Sequence, residues 1–107
     1  MITKNQIDFE KKLIAYIAKK IPIESKTVVV KQGEWRHVVV KYKLEKGYQL
    51  SLAIVNGVAE LAITDPSEEF YTELELNGPH DDGIYEIFDF QDVDRVINAY
   101  FDYFQKK

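Results

Sequence analysis

On either side of Asn56-Gly57 the chain alternates large aliphatic residues with small or polar ones: Leu50, Leu52 and Ile54 before it, Ala59, Leu61 and Ile63 after it. Both central residues of a type I′ turn need positive φ, and Asn-Gly meets that demand at low steric cost. Val55 is therefore set opposite Val58, Ile54 opposite Ala59, Leu52 opposite Leu61 and Leu50 opposite Ile63. Upstream, Glu45-Lys46-Gly47 suits a three-residue loop with glycine in the left-handed position. It pairs Leu44 with Tyr48, Tyr42 with Leu50, Val40 with Leu52 and Val38 with Ile54. Two turns placed independently agree on one apolar face, the consistency across levels that a foldable sequence shows. Any fold of this chain must accommodate an antiparallel sheet that is buried on one side.

Flanking segments change period. From about Gln6 to Lys20, Ile7, Ile14, Ala18 and Ile21 line one side with Phe9, Leu13, Tyr16 and Ile17, while Lys4, Asp8, Lys11, Lys12 and Lys19 gather opposite. That is the 3.6-residue pattern of a half-buried helix. Either Thr3 with Gln6 or Asn5 with Asp8 suits its cap, and Pro22 stops it. A second amphipathic helix is expected from about Phe90 to Gln105, capped by Asp89, with Phe88 stapled onto Val93.

Thr27 to Gln32 reads as an earlier strand turning at Gly33-Glu34 into Trp35. A two-residue loop there would bury Val29; a three-residue loop would bury Val28 and Val30, and is preferred because it covers two valines. Phe70 to Leu76 alternates as a further strand, Asn77 to Gly83 forms a long polar loop, and Ile84 to Phe88 suits a short edge strand. The expected fold is α+β over residues 1–107 as one domain: an N-terminal helix, an antiparallel meander sheet of about five strands, and a C-terminal helix. Because one sheet face is apolar, both helices should pack on it.

Length supports such a core, since a chain of 107 residues buries roughly two-thirds of its unfolded surface. Zero cysteine excludes a disulfide scaffold, a thiolate metal site and a cysteine nucleophile. Apolar runs extend only a few residues, against roughly 18 for a membrane span, and the first residues lack a secretory h-region. Cytoplasmic residence without membrane contact is the expectation. The net charge of −4 conceals a split: residues 1–50 hold eleven Lys/Arg against five Asp/Glu, and residues 51–107 hold three against thirteen. Folding either interleaves the halves and cancels their fields or leaves a bipolar surface that steers association.

Catalytic motifs are scarce. Phosphate-cradling and dinucleotide glycine patterns are absent, as are His-Glu-x-x-His and Gly-x-Ser-x-Gly. His80-Asp81-Asp82, with Glu73, Glu75 or Glu86 nearby, has metal-ligand chemistry; solvated loop residues are the better reading, because consecutive residues diverge. No cofactor is expected. Glu10 falls on the buried helix face, where a carboxylate needs a partner such as an inward lysine, overhangs the sheet, or has a raised pKa for catalysis.

The register leaves Trp35, His37, Val39, Lys41, Ala53 and Ala62 on the face away from the helices, an aromatic and basic margin around a small apolar centre. Glu73, Glu75, Asp81 and Asp82 suggest an acidic edge. The leading expectation is a non-catalytic module that binds another protein through that face, that edge or both, an inhibitor or immunity-type partner of a basic protein being one form. Nucleic acid is disfavoured by the acidic balance. Two alternatives stand beside it: a small enzyme or ligand-binding domain with a pocket using Glu10, Tyr42, Tyr48 or His37, and a structural subunit of a homo-oligomer with Trp35 in its interface.

Overall fold

Thr3 starts the first helix. Its hydroxyl accepts the Gln6 amide at 3.2 Å while the Gln6 side chain accepts the Thr3 amide at 2.8 Å, a reciprocal capping box. From there α1 runs over Lys4–Ala18 in a computed structural model that describes residues 3–31, 35–67, 80–81 and 84–105. The helix begins and ends two residues earlier than its periodicity suggests. It ends where Lys20 and Ile21 both donate to the Ile17 carbonyl ahead of Pro22.

Six strands follow among the described residues: β1 Ile23–Lys31, β2 Trp35–Lys43, β3 Gln49–Val55, β4 Val58–Thr64, β5 His80–Asp81 and β6 Ile84–Ile87. Helix α2, Phe90–Gln105, closes the chain. All strand pairs are antiparallel and the sheet order is β1-β2-β3-β4-β6-β5. Both expected hairpin registers hold: Val55 faces Val58, Leu52 faces Leu61, Tyr42 faces Leu50 and Val38 faces Ile54. Asn56 and Gly57 have φ of 49° and 86°, as a type I′ turn requires, and the Glu45–Gly47 turn uses φ of 57° at Lys46 and 85° at Gly47.

The strand Ile84–Ile87 lies between β4 and the two-residue β5 rather than at the edge. The strand expected at Phe70 to Leu76 falls outside the described residues.

One face of this sheet carries the core. Val38, Val40, Tyr42, Leu52, Leu61 and Ile63 are fully buried beneath Leu13 and Ile17 of α1 and Val93 of α2. Each aliphatic side chain so buried contributes roughly 1.5–3 kcal/mol. Where the helices meet, the Tyr16 ring stacks on Phe90 at 4.6 Å, and Asp94 accepts from both Tyr16 Oη (2.6 Å) and Lys20 Nζ (2.7 Å).

The first hairpin adopts the preferred register, Lys31 opposite Trp35 and Val28 opposite Val38. That register does not bury its valines. Val28 and Val30 are 43% and 53% exposed, and every residue of β1 is exposed, because β1 packs on β2 and lies beyond the cover of both helices. Phe88, expected to staple onto Val93, is 70% exposed. The alternation that buries Tyr85 and Ile87 turns it outward. The cap of α2 is polar instead: Asp89 accepts the Asp92 amide, and Asp92 accepts the amides of Phe88 and Asp89 and pairs with Arg95.

Two outcomes follow for stability. At Gly57 a Cβ would lie 2.8 Å from the Gln6 side chain in a left-handed conformation, so Gly57→Ala is expected to cost about 1–2 kcal/mol, read from the urea midpoint at unchanged slope. The Phe88 amide, aided by the Asp89 amide and Arg95, holds the Asp92 carboxyl below the usual aspartate range. A folded-state pKa below the unfolded one gives stability that is present above about pH 4 and is lost as acid protonates the folded carboxyl. Asp92→Asn should be less stable at neutral pH, with the gap to the parent narrowing through the acid limb of a urea-unfolding series.

Candidate functional site

Strand parity places Arg36, Val38, Val40 and Tyr42 on the helix side of β2 and Trp35, His37, Val39, Lys41 and Lys43 on the other. The first set accounts for the residues with catalytic potential. Glu10 is 4% exposed and lies against Arg36, with Nη2–Oε2 at 2.8 Å and Nε at 3.1 and 3.3 Å from the two oxygens. This fork geometry satisfies a buried carboxylate from a planar donor set. The partner is an arginine rather than a lysine, and the alternation Arg36, Val38, Val40, Tyr42 is the sequence signal that points to it.

Tyr42 is fully buried; burial pushes its phenol well above the usual value, and the protonated hydroxyl donates to the Ile14 carbonyl at 3.1 Å. Among the described residues, Glu10 is closed into an ion pair and Tyr42 into a helix-to-sheet hydrogen bond. A cleft of about 290 Å³ opens elsewhere, lined by Ile21, Pro22, Leu44, Glu45, Tyr100 and Phe101 with Lys20 and Lys43. Neither Glu10, Tyr42 nor His37 lines it.

The helix-free face brings the second set together. Trp35 and His37 meet edge-on at 5.5 Å, and Lys31 of β1 places its ammonium 5.4 Å from the centre of the Trp35 ring. Val39 is opposite Ala53, and Ala62 stands diagonally beyond, between Ser51 and Ile84. Trp35, His37, Val39, Lys41 and Ala53 are half-buried, while Ala62 is buried at 6% exposure. The small centre is therefore shallow and mostly filled by its neighbours.

A second apolar feature crosses the strands near the β3–β4 turn. Val29, His37, Val55 and Val58 form one row over β1, β2, β3 and β4, each directly opposite the next. All three valines of the row are exposed. Of this row, His37 is expected on the face from sequence; the three-residue register of the first hairpin sets Val29 beside it.

Charge along the sheet is sorted by strand order. On β1 and β2 stand Lys26, Lys31, Arg36, Lys41 and Lys43 against Glu24; β3 is uncharged, and β4 and β6 carry Glu60 and Glu86 directly opposite one another. The sheet keeps the halves of the chain apart rather than interleaving them.

The acidic edge is less completely described. His80 and Asp81 form β5, paired with Tyr85 and Ile84, while Glu73, Glu75 and Asp82 lie outside the described residues. No group of three His, Asp or Glu side chains that could hold a metal ion occurs among the described residues, and no described helix is long and apolar enough to cross a membrane. Compared with protein-family models, curated proteins and solved structures, the chain matches none.

The ion pair yields its own test. Arg36→Met leaves the Glu10 carboxylate buried without its cation, at an expected cost of about 3 kcal/mol near neutral pH. Thermal unfolding of the variant beside the parent measures the loss.

Proposed function

We propose that this chain is a non-catalytic protein-binding module that meets its partner with the helix-free face of the sheet. The observation that carries the reading is the clustering of exposed apolar side chains. Of the seven large hydrophobic residues exposed among the described ones, Val29, Val55 and Val58 gather on that face, with Val28 and Val30 beside them on the helix side of the β1 edge. Trp35, the sole tryptophan, stands beside His37 at the end of the same face. Contiguous apolar surface rimmed by charge marks interaction sites, and tryptophan is enriched among the residues that dominate binding energy.

Charge gives the surface direction. Lysines on β1 and β2 suit an acidic region of the partner, whereas Glu60 and Glu86 suit a basic one. An inhibitor or immunity-type protein is one form such a module takes. The acidic 68–82 stretch that motivates a basic partner adds to that reading by composition alone.

The test uses Trp35 as both contact and reporter. Proteins retained from lysate by the parent at low salt should be lost with Trp35→Ala and kept by Asn98→Ala, a change on the exposed side of α2. Adding the purified partner should shift the Trp35 emission to the blue, and the affinity should fall as salt rises. Retention of every partner by Trp35→Ala, with no emission change, removes this face as the binding surface.

A further inference from the structure

The free edge of β1 is a row of backbone groups whose directions follow from the bonds of β2. Arg36 turns both its main-chain groups towards β3, its amide donating to Asn56 Oδ1 at 2.8 Å and its carbonyl accepting the Asn56 amide at 2.9 Å. Directions alternate along a strand, so His37, Val39 and Lys41 turn theirs towards β1. The Lys43 amide, donating to the Pro22 carbonyl at 2.9 Å, has the parity this requires. Thr27 and Val29, opposite Val39 and His37, are consequently bonded to β2. Lys26, Val28 and Val30 send their amides and carbonyls the other way, to an edge that pairs with no strand among the described residues.

Such an edge is a template for another strand. Its surroundings select which kind. Arg36 is neutralised by Glu10, and Glu24 is held by Gln49 at 3.1 Å. That leaves Lys26, Lys31, Lys41 and Lys43 without an ion pair among the described residues. A second copy pairing edge to edge would add a second cationic strand to this one, and two further features oppose it: the bulge between Ile23 and Ser25, and Lys26 set on the helix side beside Val40. Both are devices by which natural edges resist self-pairing. An acidic strand meets no such penalty.

We infer that the β1 edge is a strand-addition site for an extended acidic segment of another protein, seated on the outward backbone groups of Lys26, Val28 and Val30. This rests on the protein-binding reading above and gives it a mode and a partner chemistry. Acidic side chains of the added strand lie beside Lys26 on the helix side and Lys31 on the open side; apolar ones lie beside Val28, Val29 and Val30. Main-chain bonds supply affinity and the lysines supply the choice of sign.

Amide hydrogen exchange tests it residue by residue. The probe is a short end-capped peptide of valine and threonine with glutamate at both ends; its counterpart carries lysine at both ends. The glutamate peptide should slow exchange at Lys26, Val28 and Val30 by about tenfold or more, with Thr27 and Val29 already slow in the free protein. The lysine peptide should not. Val28→Pro removes a donor that β2 does not use and should abolish the protection; proline is tolerated where an edge N–H faces solvent. Should that variant fail to fold, the double change Lys26→Glu with Lys31→Glu serves instead, exchanging preference from the glutamate to the lysine peptide.

Equal protection by both peptides, or none by either, overturns the inference. So does a free protein whose edge amides are already slow and whose mass is that of two chains. If the edge stays unprotected while a partner still depends on Trp35, strand addition falls and the protein-binding reading stands. If the peptide protects the edge while Trp35→Ala keeps every partner, the edge stands and the face does not.

Discussion

The Asn56–Gly57 turn holds together more than the two strands it joins. Its positive φ angles set β3 against β4, and therefore decide which side of both strands is apolar. Asn56 also closes the end of β2 by bonding both main-chain groups of Arg36, and its carbonyl accepts the Gln6 side chain of α1 at 3.3 Å. Arg36 in turn holds Glu10 one helical turn further on. A single reversal of the chain thus locates the sheet register, the helix start and the buried ion pair.

Much of this was readable because the determinants are local. The registers of β2 with β3 and β3 with β4, the Thr3–Gln6 box and the Asp89 cap each depend on residues a few positions apart. The alternation also identified the face on which Trp35, His37, Val39 and Lys41 stand. What escaped depends on distance. Glu10 and Arg36 are 26 residues apart, and their meeting depends on how α1 crosses the sheet. The exposure of Val28 and Val30 depends on how far the helices reach, which periodicity does not encode: the same alternation serves a covered strand and an uncovered one. Phe88 misled because a staple and an alternating strand make opposite demands on one residue, and the strand prevailed. Strand order escaped for a similar reason, since β6 returns to β4 and leaves β5 outside it.

That order has an electrostatic result. A sheet that had inserted β6 or β5 among the first three strands would have placed carboxylates beside lysines. Instead the cationic hairpin and the Glu60–Glu86 pair occupy opposite sides of uncharged β3. An ion pair joins the two halves of the chain at the helices, where Lys20 and Tyr16 share Asp94, and this draws the Lys20 pKa up and the Asp94 pKa down. The helices join the charges; the sheet separates them.

Helix α1 also precedes everything that holds it. Its long-range polar partners lie 26 residues away at Arg36, 28 at Tyr42, 50 at Asn56 and 78 at Asp94. A chain made from its N-terminus therefore has this helix waiting, with only the Thr3–Gln6 box to keep its first turn, while the hairpins it will cover are still being synthesised. The short connections of β2-β3-β4 close at low entropic cost, whereas each long-range polar contact of α1 closes a loop of 26 residues or more.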